Sequence, residues 1–379
     1  MANPRLANEQ FFPLSRGVPA EGTRCPNLPP TRTYYYRTVS KHPLIALAAA
    51  ASMLIGPELA HAQDESAAAT SQPSPLAFLS SYFQSDRPDS IIVEETTPTP
   101  DQVNFRSRPR QLRDEAAADI VASDKPAKPK TLGQIDIRRL RFKDADGDVV
   151  TALLCTPAGK AGPFPLAIAV HGLNSNKAQV CGQVAPALAK KGFAVLAPDM
   201  PVHGERPGSP WELQQNKDWL RAVQLHRRAI IDIRQCIDLA EQRDDLDLSK
   251  GVVLAGYSMG SWLDSVAGSI DPRVRAMVLM VGGAHDLAHV APLLKMLPQV
   301  AAADPLTALP QFAGRPVLML NGRQDPVVTP DMAKRLYEAA AEPKSLKWYN
   351  SGHLLPERAY QDAAEWIASM WPALPNPAR

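Results

Sequence analysis

The last 249 residues carry short apolar runs with little polar interruption: Leu166 to Val170, Phe193 to Ala197, Val252 to Ala255, Val274 to Val281 and Val317 to Leu320. Such runs suit strands buried on both faces, where neither side of the pleat meets water. Stretches with helical spacing separate them: Ala178 to Lys190, Asp218 to Arg243, Met259 to Ser269, Pro330 to Ala340 and Pro356 to Met370. Thr329-Pro330 reads as a helix cap followed by proline at the first helical position. Upstream, Gln134 to Phe142 alternates and ends at a turn around Gly147, after which Val149 to Thr156 makes a second strand, so the pair predicts an antiparallel hairpin. Strand and helix in alternation predict a mostly parallel twisted sheet with helices on both faces. The connection between the runs at 274–281 and 317–320 is longer than needed and apolar at helical spacing from Ala284 to Val300. It predicts a small helical cap, about 284–312, over the carboxyl edge of the sheet, where ligands bind in open α/β sheets.

The first 130 residues lack this order. After Arg37 and Lys41 comes a 12-residue apolar run, Leu44 to Ile55, then Gly56-Pro57 and Ala60-His61-Ala62. A membrane span needs about 20 apolar residues. A basic flank, a short apolar centre and small residues at the cut resemble a secretory signal peptide, so residues 1–62 are expected to be an N-terminal extension and signal cleaved after Ala62. The protein would then be exported, periplasmic or secreted, with no stable membrane span after processing. The long stretch before the signal suggests a biological start downstream, at Val39. Residues 63–130, rich in Pro, Ser and Ala, are expected to be a disordered linker, since little apolar surface offsets the entropy of ordering it. Leu76, Phe78, Leu79, Tyr82 and Phe83 form a short apolar exception that could dock. Residues 131–379 are then expected to be one folded domain.

Composition trims the function classes. Sixteen of the 37 prolines fall before residue 131, and the net charge of +2 is spread along the chain. A nucleic-acid binder should show a basic face, so that partner is not expected. Of the four cysteines, Cys25 leaves with the signal. Cys155, Cys181 and Cys236 remain, an odd set in which Cys181–Cys236 is the expected pair if a disulfide forms and three buried thiols are the alternative.

The chemistry sits at the ends of the apolar runs. Gly256-Tyr257-Ser258-Met259-Gly260 lies where a buried strand hands over to a helix, the context that G-x-S-x-G requires. Ser258 would occupy a strained turn, with the backbone N–H of Met259 and the helix amino end ready for an oxyanion. A serine hydroxyl needs a base, and the base needs an acceptor to hold its tautomer. His353 follows a strand-like segment and Asp325 follows the run at 317–320, so nucleophile, acid and base occur in the order Ser258, Asp325, His353. Gly172 lets the loop after 166–170 turn close to the substrate, and the N–H of Leu173 would be the second oxyanion donor. His171 would shape this loop; with Gly172, Trp211, Trp262 and His285 it is a candidate wall of the substrate pocket. His285 and His289 stand four apart, but with Asp286 in place of the usual Glu and no third ligand in sight, no metal is expected.

The loop beginning His171-Gly172, Pro198 to Arg206, GYSMG, the Gly322 to Val328 acid loop and the Ser351-Gly352-His353 base loop together resemble the α/β-hydrolase superfamily. They are most similar to bacterial serine esterases near the dienelactone-hydrolase-like and prolyl-oligopeptidase-like groups. Dienelactone hydrolases carry a cysteine where Ser258 stands, and no propeller repeats precede residue 131. The resemblance, over about residues 140–372, implies an α/β-hydrolase fold and a serine carboxylesterase acting on a small-molecule ester through an acyl-serine, with no cofactor. A peptidase or amidase on the same triad is the alternative, and a catalytically silent binding protein a third reading. The sequence does not specify the substrate or the oligomeric state.

Overall fold

A computed structural model describes residues 75–85, 89–104, 120–123, 125–216, 219–284 and 304–373. The strands are β1 (Glu94–Thr96), β2 (Lys130–Leu132), β3 (Ile135–Lys143), β4 (Val149–Pro157), β5 (Phe164–Val170), β6 (Ala194–Pro198), β7 (Leu246–Tyr257), β8 (Val274–Met280), β9 (Val317–Gly322) and β10 (Lys344–Tyr349). They form one sheet in the order β1-β3-β4-β6-β5-β7-β8-β9-β10, with β2 paired to β3. From β6 onward neighbours run parallel, whereas β3, β4 and β6 pair antiparallel. The expected hairpin is β3–β4, and the five apolar runs are β5 to β9.

The helices are α1 (Pro75–Tyr82), α2 (Lys177–Lys190), α3 (Pro210–Asn216), α4 (Trp219–Glu241), α5 (Met259–Ile270), α6 (Pro305–Ala308), α7 (Pro330–Ala339) and α8 (Glu357–Met370). In α2 and α7 a side chain satisfies a free N–H group of the first turn. Asn176 accepts from Gln179 N–H, and Thr329 caps Met332 ahead of Pro330. Alternate residues of each central strand enter opposite cores. Leu166, Ile168 and Val170 pack with Ile230, Ile233 and Ile237 of α4 and with Leu263 and Val266 of α5. Ala167 and Ala169 face Val184 and Leu188 of α2 and Ala363 and Ile367 of α8.

Three expectations change. Parts of 63–130 are built into the fold: Leu79 and Phe83 are buried in the α4–α5 core, β1 adds to the free edge of β3, and Gln102 and Val103 are buried. The arm is held by Arg227 and Arg234 of α4, which donate to the carbonyls of Tyr82 and Phe83. A few large side chains, spaced too irregularly to show a period, do this docking. Second, Cys155 pairs with Cys181, while Cys236 is a buried free thiol. The sheet explains the pairing: Cys155 on β4 and Cys181 on α2 share one core, and Cys236 on α4 lies in the other. Third, the end of the expected cap, α6 with Leu309 and Phe312, lies in the helical layer. Both side chains are buried, and Arg315 just beyond donates to the carbonyls of Gly268 and Asp271 at the far end of α5 and of Val274 at the start of β8. Residues 285–303, like the signal and cleavage site, lie outside the described residues.

Candidate active site

β7 runs down the middle of the sheet and delivers Ser258 to its carboxyl edge, with φ 55° and ψ −110° immediately before α5. A non-glycine residue in that region costs on the order of 1–3 kcal/mol unless its surroundings enforce it. Here they do. Ser258 N–H donates to the Met280 carbonyl at 2.8 Å. A Cβ at Gly256 would come within 2.4 Å of the Gly260 backbone, and one at Gly260 within 2.1 Å of the Val170 carbonyl oxygen. Each glycine of the motif therefore clears space for backbone that must pass close to the turn. Ser261, fully buried one turn into α5, has its hydroxyl 2.8 Å from the carbonyl oxygens of Gly256 and Met280.

The loops after β9 and β10 bring the other two residues to the same point. His353 Nε2 lies 3.0 Å from Ser258 Oγ, and His353 Nδ1 lies 2.8 Å from Asp325 Oδ2. Asp325 is 3% exposed, and its Oδ1 accepts from the N–H groups of Val327 and Val328 at 2.8 and 2.9 Å. A carboxylate can only accept, so Nδ1 carries the proton and Nε2 is left as an acceptor for the serine hydroxyl. Arg323 N–H to the Tyr349 carbonyl and Gln324 N–H to the Ser351 carbonyl tie the two loops together. Gly322 lets the base loop approach: a Cβ there would fall 2.2 Å from the Gly352 carbonyl oxygen.

Around this trio, Gly172 is close enough that a Cβ would lie 3.2 Å from the Tyr257 carbonyl oxygen and 3.4 Å from the Ser258 Cβ. Its loop closes through Ser175 N–H to the Gly172 carbonyl, with Asn174 at φ 59°. Met259 is the first residue of α5, where an N–H has no partner within the helix. Leu173, which follows Gly172, is 54% exposed.

His171 does not line a pocket. It is fully buried, with Nδ1–H donating to the Gly172 carbonyl at 2.8 Å and Nε2 accepting from Met200 N–H at 3.0 Å. Both nitrogens are committed, and burial pushes its pKa down against the opposing pull of Asp199. It is a neutral brace between the loops after β5 and β6. Trp262 is half-buried and lies edge-on to His226 of α4, with ring centroids 6.1 Å apart, a place in interhelical packing. Trp211 is 55% exposed on α3, and His285 lies outside the described residues. Among the described residues, no group of three or more His, Cys, Asp or Glu is placed to hold a metal, and no helix is long and apolar enough to cross a membrane.

Two further parts of the site fall in or beside the sequence motifs, which by themselves assign them no role. One is a buried ion cluster under the β6 loop. Asp199 is fully buried and pairs with Lys177 Nζ, while its oxygens also accept from Lys177 N–H, Thr151 Oγ1 and Glu205 N–H. Lys177 reaches Glu205 at 2.8 Å, and Arg139 pairs with Glu205. Burial alone would push the Asp199 carboxyl up; the charge of Lys177 and the hydrogen bonds from its ammonium and backbone N–H outweigh it and hold it below the usual carboxylate range. The other is Tyr257, whose hydroxyl meets the base loop.

Residues 165–309 match the protein family described as alpha/beta hydrolase fold. Esterase YjfP of Escherichia coli (strain K12) is 29% identical over 209 residues, covering 51% of this chain and 82% of that protein. Acetyl Xylan Esterase 1 from Thermoanaerobacterium sp. JW/SL YS485 superposes with a TM-score of 0.55 at 17% identity, over 78% of this chain and 93% of that one. The acetyl xylan esterase from Paenibacillus sp. R4 gives 0.50 at 19% identity, over 65% and 86%. At such identities the solved structures speak to the fold. With its strand order, its strand–serine–helix turn and these likenesses, the chain has an α/β-hydrolase fold.

Proposed function

We propose that this protein is an exported serine carboxylesterase that uses Ser258, His353 and Asp325. The observation that carries the reading is the hydrogen-bonded line from Ser258 Oγ through both imidazole nitrogens to Asp325, built on a strained serine at a helix amino end. Ser258 Oγ attacks the ester carbonyl carbon as its proton passes to His353 Nε2. The carbonyl oxygen, now an oxyanion, lies toward the N–H groups of Leu173 and Met259, which donate to it more strongly than to the neutral carbonyl. The carbon–oxygen bond to the alcohol breaks, and His353 returns the proton to the departing oxygen. Water then attacks the acyl-serine with the same imidazole as base, releasing the acid and restoring Ser258. Asp325 holds Nδ1 protonated and faces the imidazolium that forms in each half. No cofactor takes part. The esterase name of the Escherichia coli relative supports an ester over an amide substrate.

A panel of p-nitrophenyl esters set against aminoacyl p-nitroanilides tests this. Ester turnover that disappears in Ser258→Ala is expected; preferential cleavage of the anilides would assign the triad to a peptidase or amidase. Export rests on the pattern from Arg37 to Gln63, and a mature protein beginning at Gln63 is its expected product.

A further inference from the structure

Tyr257 occupies the variable position before the serine in GYSMG, and it is 6% exposed. A phenol buried so deeply is costly unless its hydroxyl is satisfied. Its partners are specific. The hydroxyl donates to the carbonyl oxygen of His353 at 2.6 Å and accepts from Leu355 N–H at 3.2 Å. The Tyr360 hydroxyl of α8 is a third hydrogen-bonding neighbour. One donor and two acceptor sites are all that a phenol offers, so Tyr257 is saturated, and two of its bonds hold the backbone on either side of Leu354. Its ring also meets the imidazole edge-on, with centroids 6.1 Å apart and planes at 81°.

The base loop is anchored on two sides. Toward the acid loop, Gln324 N–H and Arg323 N–H bond to the carbonyls of Ser351 and Tyr349, which orients the Nδ1 side. Toward the nucleophile strand, among the described residues, the hydroxyl of Tyr257 supplies the hydrogen bonds other than the one between Ser258 and His353 themselves. One residue thus carries the nucleophile on its main chain and the base on its side chain.

We propose that Tyr257 is a positioning residue that sets the distance between Ser258 Oγ and His353 Nε2, a role that rests on the triad reading above. Freed from the hydroxyl, the base loop keeps its acid-loop anchors, so Asp325 and His353 remain paired while Nε2 drifts from the serine. The loss then falls on proton transfer in both half-reactions rather than on ester binding.

The experiment compares wild type, Tyr257→Phe and Tyr360→Phe by ester kinetics, thermal melting and the rate of fluorophosphonate labelling. Because small misplacements of a reacting group are costly, Y257F is expected to lower kcat about tenfold. KM should stay within about twofold, and labelling should slow in parallel while still reaching one adduct per folded chain. Y360F, which leaves the bond to the His353 carbonyl in place, should lower kcat by a smaller factor at unchanged KM. Labelling of Y257F at the wild-type rate, or a rise in KM at constant kcat, overturns the positioning role while leaving the nucleophile assigned. If Y257F does not fold, Y360F decides: wild-type kcat there overturns the proposal. If wild type itself takes no label at Ser258, the triad reading fails and this role falls with it.

Discussion

Asp325 holds the imidazole of His353 through Nδ1. Its Oδ1 is occupied by two backbone N–H groups, so the carboxylate cannot rotate away from the imidazole without breaking three hydrogen bonds. Asp325→Asn keeps the shape and can still accept from Val327 and Val328, but it then offers an amide N–H to Nδ1 and favours the wrong tautomer. Steady-state kinetics with an ester should show kcat lowered by about 10⁴, with the melting temperature little changed. A loss of less than about tenfold would mean that the imidazole does not depend on this acceptor. The convergence of Ser258, Asp325 and His353 at one edge was legible because each sits in a short loop directly after a strand-like segment. Tyr257 was not, because the variable position of the motif accepts any side chain and its partner lies 96 residues away. His171 was half-legible: adjacency to Gly172 marked it as part of the loop, while its burial depends on Met200, which no local pattern indicates.

Among the elements, the start of α2 and the end of β6 are joined by the Lys177–Asp199 pair, and the loop that carries Gly172 and Leu173 lies between β5 and α2. Removing one partner of a buried ion pair leaves the other charge uncompensated, so Asp199→Ala should cost about 3–5 kcal/mol in denaturant unfolding. The pair also gives stability a pH dependence of definite sign. The folded-state pKa of Asp199 is depressed, so its contribution is full above the unfolded carboxylate range, near pH 4, and is lost as pH falls through the lowered folded value. Wild-type melting temperature should therefore fall on acidification, and Asp199→Asn should show a shallower dependence from a lower start. Equal acid slopes in the two would remove Asp199 from this role. The strands and helices themselves were largely readable, because buried parallel strands write themselves as apolar runs. The ion cluster was not, since Thr151, Lys177, Asp199 and Glu205 come from four segments and resemble ordinary loop and surface residues one at a time.

Across the whole molecule, the folded body does not begin where the α/β-hydrolase resemblance begins. Leu79 and Phe83 fill the core between α4 and α5, next to the helix that presents Ser258, and β1 covers the outer edge of β3. Clefts of about 530 and 640 Å³ lie along this arm, bordered by residues such as Ile92, Lys143 and Arg227 in one and Lys125, Arg138 and Arg243 in the other. Phe83→Ala should lower stability by about 3–5 kcal/mol, the cost of emptying a buried aromatic site, read as an earlier denaturant midpoint. A midpoint equal to wild type would return the arm to the status of a linker. The sequence obscured this part because docking by two side chains amid proline and serine leaves no periodicity.

All scales meet in one requirement, that Ser258 be a nucleophile whose reactivity depends on His353. Fluorophosphonate treatment of the folded protein, followed by intact-mass and peptide mapping, measures it directly. One adduct per chain, located on Ser258, absent in Ser258→Ala and formed far more slowly in His353→Ala, is the predicted result. A folded wild type that takes no adduct, or takes it on another residue, would contradict it.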